Sequence, residues 1–260
     1  MFKETLSLAI KRQLGILSTP TIMPFLGFGN DQKLLLRGRV TEEKGLAQPS
    51  KELGLWDNIA AMAKRYWSDN LPQAQVRVCT QNREQLVEAN EHGVFQLEIP
   101  NPVPQNGSAL WLPIEYKLEN QLIEEQPPIK VQGEALLPHP QAEYGIISDV
   151  DDTIIVSHST KTIKKLRLML TKNAHTRLPF EGVADLYQGL VKGGKNPLFF
   201  VSSSEWNLYD LLVDFCAHHD IPKAPFLLQR LRSGIMDLIR SGGGDHNHKL
   251  EKIREIMDTY

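Results

Sequence analysis

Residues 145–157 read GIISDVDDTIIVS, an apolar run that meets Asp149, Asp151, Asp152 and Thr153 and then turns apolar again. Three carboxylates within four positions repel one another, so a bound cation, a phosphate chemistry or solvation must favour having them there. A calcium loop needs an acid at position five, Gly at six and Glu at twelve, and Thr153, Ile154 and Thr160 stand in those places. A polar turn does not require two acids spaced by two at the end of an apolar strand. What remains is a D-x-D-x-T pattern. In extended chain that spacing would send Asp149 and Asp151 to opposite faces, so both can meet one substrate only if the chain curls directly after Asp149. One carboxylate then serves as nucleophile and the other as general acid.

Working outward, the second half of the chain alternates strand and helix. Strands are expected over Tyr144 to Ser148, Leu198 to Val201 and Phe226 to Leu228. A helix from about Glu205 to His218 carries Trp206, Tyr209, Leu212, Val213 and Cys216 on one stripe. Such alternation favours a parallel sheet with helices on its faces and ligands beyond the carboxyl ends of the strands. A second polar cluster sits at such an end: in LFFVSSSEW the strand ends at Ser202, whose hydroxyl could donate to a phosphoryl oxygen, while Ser203 and Ser204 could cap the next helix. Further on, SGGGDHNHKLEKIREIM is a Gly-rich loop leading into a helix. A lysine at a helix start opposes the helix dipole unless it faces an anion, which sets Lys249 as a phosphate-neutralising cation against the alternative of a solvated surface lysine. His246 and His248 read as solvated polar residues of that loop. In phosphoryl transfer a carboxylate attacks phosphorus to form an aspartyl-phosphate, and Mg²⁺ with oxygen ligands cancels the charge of anion attacking anion.

The first half has a different grammar. Leu34 to Val40, Ala74 to Val78, Val94 to Ile99 and Leu112 to Leu118 are short strands, the last three alternating with period two. One helix interrupts them, with Leu55, Ile59, Met62, Ala63, Tyr66 and Trp67 on one face. Prolines 127, 128, 138 and 140 form a stiff joint. The expected organisation is a β-rich, sandwich-like domain over 1–139 and an α/β domain over 140–260. The 260 residues carry a net charge of -2, with no basic field to attract nucleic acid. Cys79 and Cys216 suggest neither a disulfide framework nor a zinc site, which fits a reducing cytoplasm. Leu14 to Asn30 is uncharged but broken by Pro20, Pro24, Gly15, Gly27 and Gly29, so it is not read as a membrane span. Met1 to Leu14 reads as a short amphipathic helix docked on the protein's own core.

Taken in order, Asp149, Asp151 and Thr153, then Ser202, then Lys249 resemble the first three motifs of the haloacid dehalogenase (HAD) superfamily of phosphohydrolases. SDVDDTI, TRLPFEGVADLYQGL, FVSSSEWNLYDLL and HKLEKIREIM are similar to the catalytic domain of the actin-patch type phosphatidate phosphatases and their bacterial relatives. The resemblance implies a HAD-like Rossmannoid sheet with helices on both faces. It implies that Asp149 is the nucleophile and a Mg²⁺ ligand. Asp151 would protonate the leaving alcohol and then deprotonate the hydrolytic water, its backbone carbonyl touching the metal. Ser202 would hold the transferring phosphoryl group and Lys249 would offset its charge. The substrate so implied is phosphatidate, converted to diacylglycerol and phosphate.

The chain departs from the family pattern twice. Glu205 stands where the serine-rich motif usually has Pro. The superfamily's fourth, acidic motif should follow the strand after the Lys249 helix, whereas the sequence ends at Tyr260. This motif's strand would lie beside the one bearing Asp149, so the sequence reads as C-terminally truncated, with an unpaired strand edge, weak Mg²⁺ binding and little activity expected of it. Only 48 residues separate Thr153 from Ser202, too few for a large folded cap, which leaves the site open to a bulky or membrane-presented substrate. Within them Lys161, Lys164, Lys165, Arg167 and Lys172 could make a peripheral contact with anionic headgroups, or form a solvated cationic face. The leading reading is a cytoplasmic Mg²⁺-dependent phosphomonoesterase acting on phosphatidate. The competing ones are a phosphatase for a soluble or protein phosphate and a non-catalytic phosphate- or lipid-binding module.

Overall fold

The computed structural model describes residues 17–43, 70–81, 83–101, 110–150, 154, 179–229 and 246–260, the first three of the last segment by backbone alone. Asp151, Asp152, Thr153, the basic stretch 158–172 and the helices expected over 1–14 and 55–67 lie outside the described residues. The described residues fall into two compact units, one reaching Leu137 and the other running from Pro138 to Tyr260.

The first unit is β-rich. Its strands are β1 (Pro20–Pro24), β2 (Gly27–Gly29), β3 (Lys33–Glu42), β4 (Gln75–Cys79), β5 (Glu84–Glu88), β6 (Val94–Pro100), β7 (Trp111–Leu118) and β8 (Lys130–Leu136). All eight hydrogen-bond in one sheet, the β-rich unit that the sequence suggested. The long strand β3 organises it. β6 pairs along Lys33 to Arg39 of one edge, while β1 and β2 share the other edge in succession. β2 then joins β8 in parallel, and the antiparallel run β8, β7, β4, β5 follows. The four strands expected from sequence are present within one or two residues of their predicted bounds.

Period-two alternation builds the core of this unit. Leu112, Ile114, Tyr116 and Leu118 of β7, Val76 and Val78 of β4, and Leu34, Leu36 and Val40 of β3 are buried. The alternation breaks at Gly38, where a β-carbon would collide with the ring of Phe95, so glycine is what lets Phe95 lie across β3. Phe95 in turn meets Tyr116 at 5.8 Å between ring centres. The opposite face carries charges that neutralise one another along and across strands. Glu115 binds Lys117 at 3.0 Å and also Lys130, and Arg77 binds Glu119 at 2.6 Å and Glu84 at 3.4 Å.

The second unit is α/β. β9 (Ile146–Asp149), β10 (Leu198–Glu205) and β11 (Phe226–Gln229) form a parallel sheet in the order β11-β10-β9. Among the described residues three helices accompany them: α1 (Val183–Val191), α2 (Tyr209–His218) and α3 (His246–Met257). The central strand reads as a continuous apolar run, Leu198 to Val201, all buried, as a strand covered on both faces should. Tyr187 of α1 meets Phe200 edge-on at 5.7 Å, and Tyr260 after α3 meets Phe199 at 5.3 Å. A buried amide, Asn196, ties the start of β9 into this unit: its Oδ1 accepts the Glu143 N–H at 3.0 Å and its Nδ2 donates to the Leu190 carbonyl at 3.0 Å.

Several sequence expectations are corrected here. β10 does not end at Ser202 but continues through Ser203 and Ser204 to Glu205. Ser203 and Ser204 cap no helix: a single 3₁₀ turn over Trp206–Leu208 intervenes, and α2 begins only at Tyr209 after Leu208. Its buried stripe is Tyr209, Leu211, Leu212, Phe215 and Cys216, with Trp206 and Val213 half-buried outside it. His246 and His248 belong to α3 rather than to a loop.

Candidate active site

The site is built at the carboxyl end of the parallel sheet. Asp149 is the last residue of β9 and lies directly across from Val201 of β10, which pairs on its other side with Leu227 of β11. The next β10 residue is Ser202. Between the Val201–Leu227 and Glu205–Gln229 pairs, β10 has three residues where β11 has one. This bulge is held by Ser202 itself, whose Oγ accepts the Ser204 N–H at 2.9 Å. The Ser202 hydroxyl proton is thereby left to donate elsewhere. Ser202 itself is fully buried, and Ser203 is the half-buried one of the three serines.

The chain does curl after Asp149. The Ile154 N–H donates to the Val150 carbonyl at 3.0 Å, whereas four residues of extended strand would separate such groups by roughly 13 Å. Val150 and Ile154 are buried, and the Ile154 carbonyl accepts the Phe180 N–H at 3.1 Å. Asp149 is consequently held at a sharp corner. Its Oδ1 accepts the Val150 N–H at 2.8 Å.

Lys249, one hundred residues further on, completes the described part of the site. It lies in the first turn of α3, and its Nζ donates to Asp149 Oδ2 at 2.6 Å, with the two side chains 25% and 38% exposed. The lysine is therefore not solvated alone: the anion it faces against the helix dipole is the carboxylate of Asp149. Both carboxylate oxygens thus receive one donor each and keep lone pairs for a further partner. Glu205, the departure from the family pattern, is buried at the end of β10, beside Gln229 of β11.

Of the five residues expected to act, the structure brings Asp149 and Lys249 into contact and sets Ser202 one residue past Asp149's partner on the neighbouring strand. Asp151 and Thr153 lie outside the described residues. Among the described residues no three His, Cys, Asp or Glu gather as a metal site. Nor is any helix among them long and apolar enough to cross a membrane.

Sequence reasoning overlooked the groups on the other face of β9. Ser148 lies opposite Phe200 in register, its Oγ 2.5 Å from the Tyr187 hydroxyl and 3.0 Å from the Asp149 carbonyl oxygen. Burial holds the Tyr187 hydroxyl above the ordinary tyrosine range, the bond to Ser148 opposes this, and the Asp149 charge adds to it. In the sequence Tyr187 is one aromatic of an amphipathic stripe, with no signal to separate it from core packing.

No curated protein matches the chain. Residues 144–260 match the family described as "Phosphatidate phosphatase APP1, catalytic domain", so the segment that holds Asp149, Ser202 and Lys249 is similar to a phosphatidate phosphatase catalytic domain.

Proposed function

We propose that residues 144–260 act as a Mg²⁺-dependent phosphomonoesterase through an aspartyl-phosphate on Asp149, with phosphatidate as the substrate. The observation that carries this reading is the Lys249–Asp149 contact at 2.6 Å at the carboxyl end of a parallel sheet. A carboxylate paired with a lysine at a strand end, beside a hydroxyl donor, is a charge-balanced site that a phosphoryl group can enter. The family match to phosphatidate phosphatases supports the substrate.

In this mechanism an Asp149 oxygen attacks phosphorus, the new P–O bond forms, and the bond to the lipid alcohol breaks. Asp151 donates the proton that the leaving alkoxide needs. Asp151 then removes a proton from water, which attacks phosphorus and releases inorganic phosphate with Asp149 restored. Ser202 donates its hydroxyl hydrogen to a phosphoryl oxygen. Lys249, counterion of Asp149 in the resting site, is shared with the phosphoryl group as its charge develops. Thr153 belongs to the same motif.

The Asp149 carboxylate suits Mg²⁺, being a hard oxygen donor, partly exposed, with lone pairs left on both oxygens. Asp149 and the Asp151 carbonyl would hold the ion, which supplies the charge cancellation that attack of an anion on an anion needs. The HAD-like arrangement with helices on both faces is supported by Tyr187 packing on Phe200 and Tyr260 on Phe199, since consecutive strand residues point to opposite faces. A lipid substrate also implies a peripheral membrane contact, for which the lysines between residues 161 and 172 are the candidates.

The test is phosphate release by the full-length protein from phosphatidate vesicles and from a soluble aryl phosphate, with and without Mg²⁺. Asp149→Asn should lower release on the order of 10³-fold or more, because the covalent route is lost. Absence of release from both substrates by the unaltered protein sinks the proposal, and a marked preference for the aryl phosphate sinks its lipid part.

A further inference from the structure

Behind Asp149, on the face of β9 away from Lys249, runs a second chain of polar groups. Ser148 has one hydroxyl proton, and the 3.0 Å contact directs it to the Asp149 carbonyl oxygen. The 2.5 Å contact with Tyr187 must then be made by the tyrosine proton, so the order is Tyr187 O–H to Ser148 Oγ, Ser148 O–H to Asp149 C=O. Tyr187 itself is fixed, buried on α1 and packed edge-on against Phe200, the residue beside Ser148 in register.

We infer that Tyr187 and Ser148 are positioning residues that lock the backbone of Asp149, and so the direction of its carboxylate, from the face opposite the site. The need for such a lock follows from the strand. β9 is four residues long, half-buried throughout, and paired only with β10 among the described residues. The backbone turns sharply just beyond it, with the Val150 carbonyl already bonded to Ile154. A strand held on one edge would let its terminal carbonyl rotate. Rotation there swings the carboxylate off Lys249 and off the line of attack, and a misplacement near 1 Å in such a group costs on the order of 10²-fold in rate. Two hydroxyls in series tie the carbonyl to a packed helix, and each bond polarises the next.

The inference rests on the phosphomonoesterase reading, and its test separates the two. Tyr187→Phe and Ser148→Ala are each expected to lower kcat on the aryl phosphate by about tenfold with KM unchanged. The double variant should be no worse than the poorer single one, since both break the same chain. Ser148→Thr, which keeps the hydroxyl, should recover most of the loss. A role in packing alone predicts additive losses of thermal stability with kcat per folded molecule unchanged, and that result overturns the inference. The second readout needs neither activity nor substrate. Hydrogen exchange at the Val150 amide, which donates to Asp149 Oδ1, should quicken by about tenfold in Tyr187→Phe while the Phe200 amide deep in β10 stays protected. Unchanged exchange at Val150 overturns the positioning role even if the wild type proves to be no phosphatase.

Discussion

The two sheets treat charge in opposite ways. On the mostly antiparallel sheet of the first unit, charged residues alternate with buried ones at Arg77 of β4 and at Glu115 and Lys117 of β7, and neighbours along and across strands neutralise each other: Glu115 with Lys117 and Lys130, Arg77 with Glu119 and Glu84. These side chains are partly to largely exposed, and pairs of that kind contribute little to stability. In the parallel sheet of the second unit β10 is apolar from Leu198 to Val201 and polar from Ser202 onward, and Asp149 ends β9 directly across from Val201. Lys249 reaches Asp149 from a helix rather than from the next strand. A carboxylate–lysine contact is thus an ordinary surface device in one unit and the centre of the candidate site in the other. What separates them is position: a strand end, a bulge, a corner in the chain and a lysine in the first turn of a helix.

Substitutions can break this contrast in order of size. Lys249→Met should lower kcat on the order of 10²- to 10³-fold, the usual consequence of removing one preorganised donor from a developing anion, with little change in folding. An unchanged thermal midpoint with full activity would put this pair in the same class as the surface ladder. Ser202→Ala should cost about tenfold in kcat and lower the unfolding midpoint slightly, because the Ser204 N–H loses its acceptor and the bulge its lock. Equal kcat in that variant would remove Ser202 from the chemistry.

A third effect concerns pH and the buried interior of α2. Burial pushes the Cys216 thiol from its ordinary value of 9.0 up to about 12. Between those two values the unfolded chain gives up its thiol proton and the folded chain keeps it. The unfolded state then binds fewer protons, so stability falls as pH rises through that window. Denaturant unfolding from pH 8 to 11 should show that decline, and Cys216→Ala should make it shallower. An unaltered slope would mean that the thiol titrates normally. Smallest of all, Arg77→Gln should leave both the unfolding midpoint and phosphate release where they were, since the ladder it belongs to is solvent-exposed. A measurable loss of activity there would show that the first unit contributes to catalysis.

Much of this was legible in the residues. β4, β6 and β7 announce themselves because each buries every second residue, and β10 because four consecutive apolar residues precede a polar cluster. β5 escaped notice because Glu84 to Glu88 is an exposed strand with no apolar alternation to read, its Leu86 facing outward. β8 was hidden between proline clusters and carries Gly133 and Glu134 in its middle, while β1 is bounded by Pro20 and Pro24. Charge and proline are the devices by which strands resist further pairing, so they mask the pattern that marks a strand.

Local chemistry is written in the chain: alternation selects a β-rich unit, the strand–helix rhythm selects a parallel sheet, and three acids in four positions mark the end of β9 as a special place. Those signals depend on neighbours within a few residues. The pairing of Asp149 with Lys249 spans one hundred positions, and the support of Asp149 by Ser148 and Tyr187 spans nearly forty. No spacing rule reaches so far, because such contacts exist only once sheet register and helix packing have closed the distance. The tertiary structure therefore decided that Lys249, already singled out in the sequence, binds the Asp149 carboxylate itself, that Ser202 lies at a bulge within β10 rather than at a strand end, and that a core-like tyrosine stands behind the candidate nucleophile.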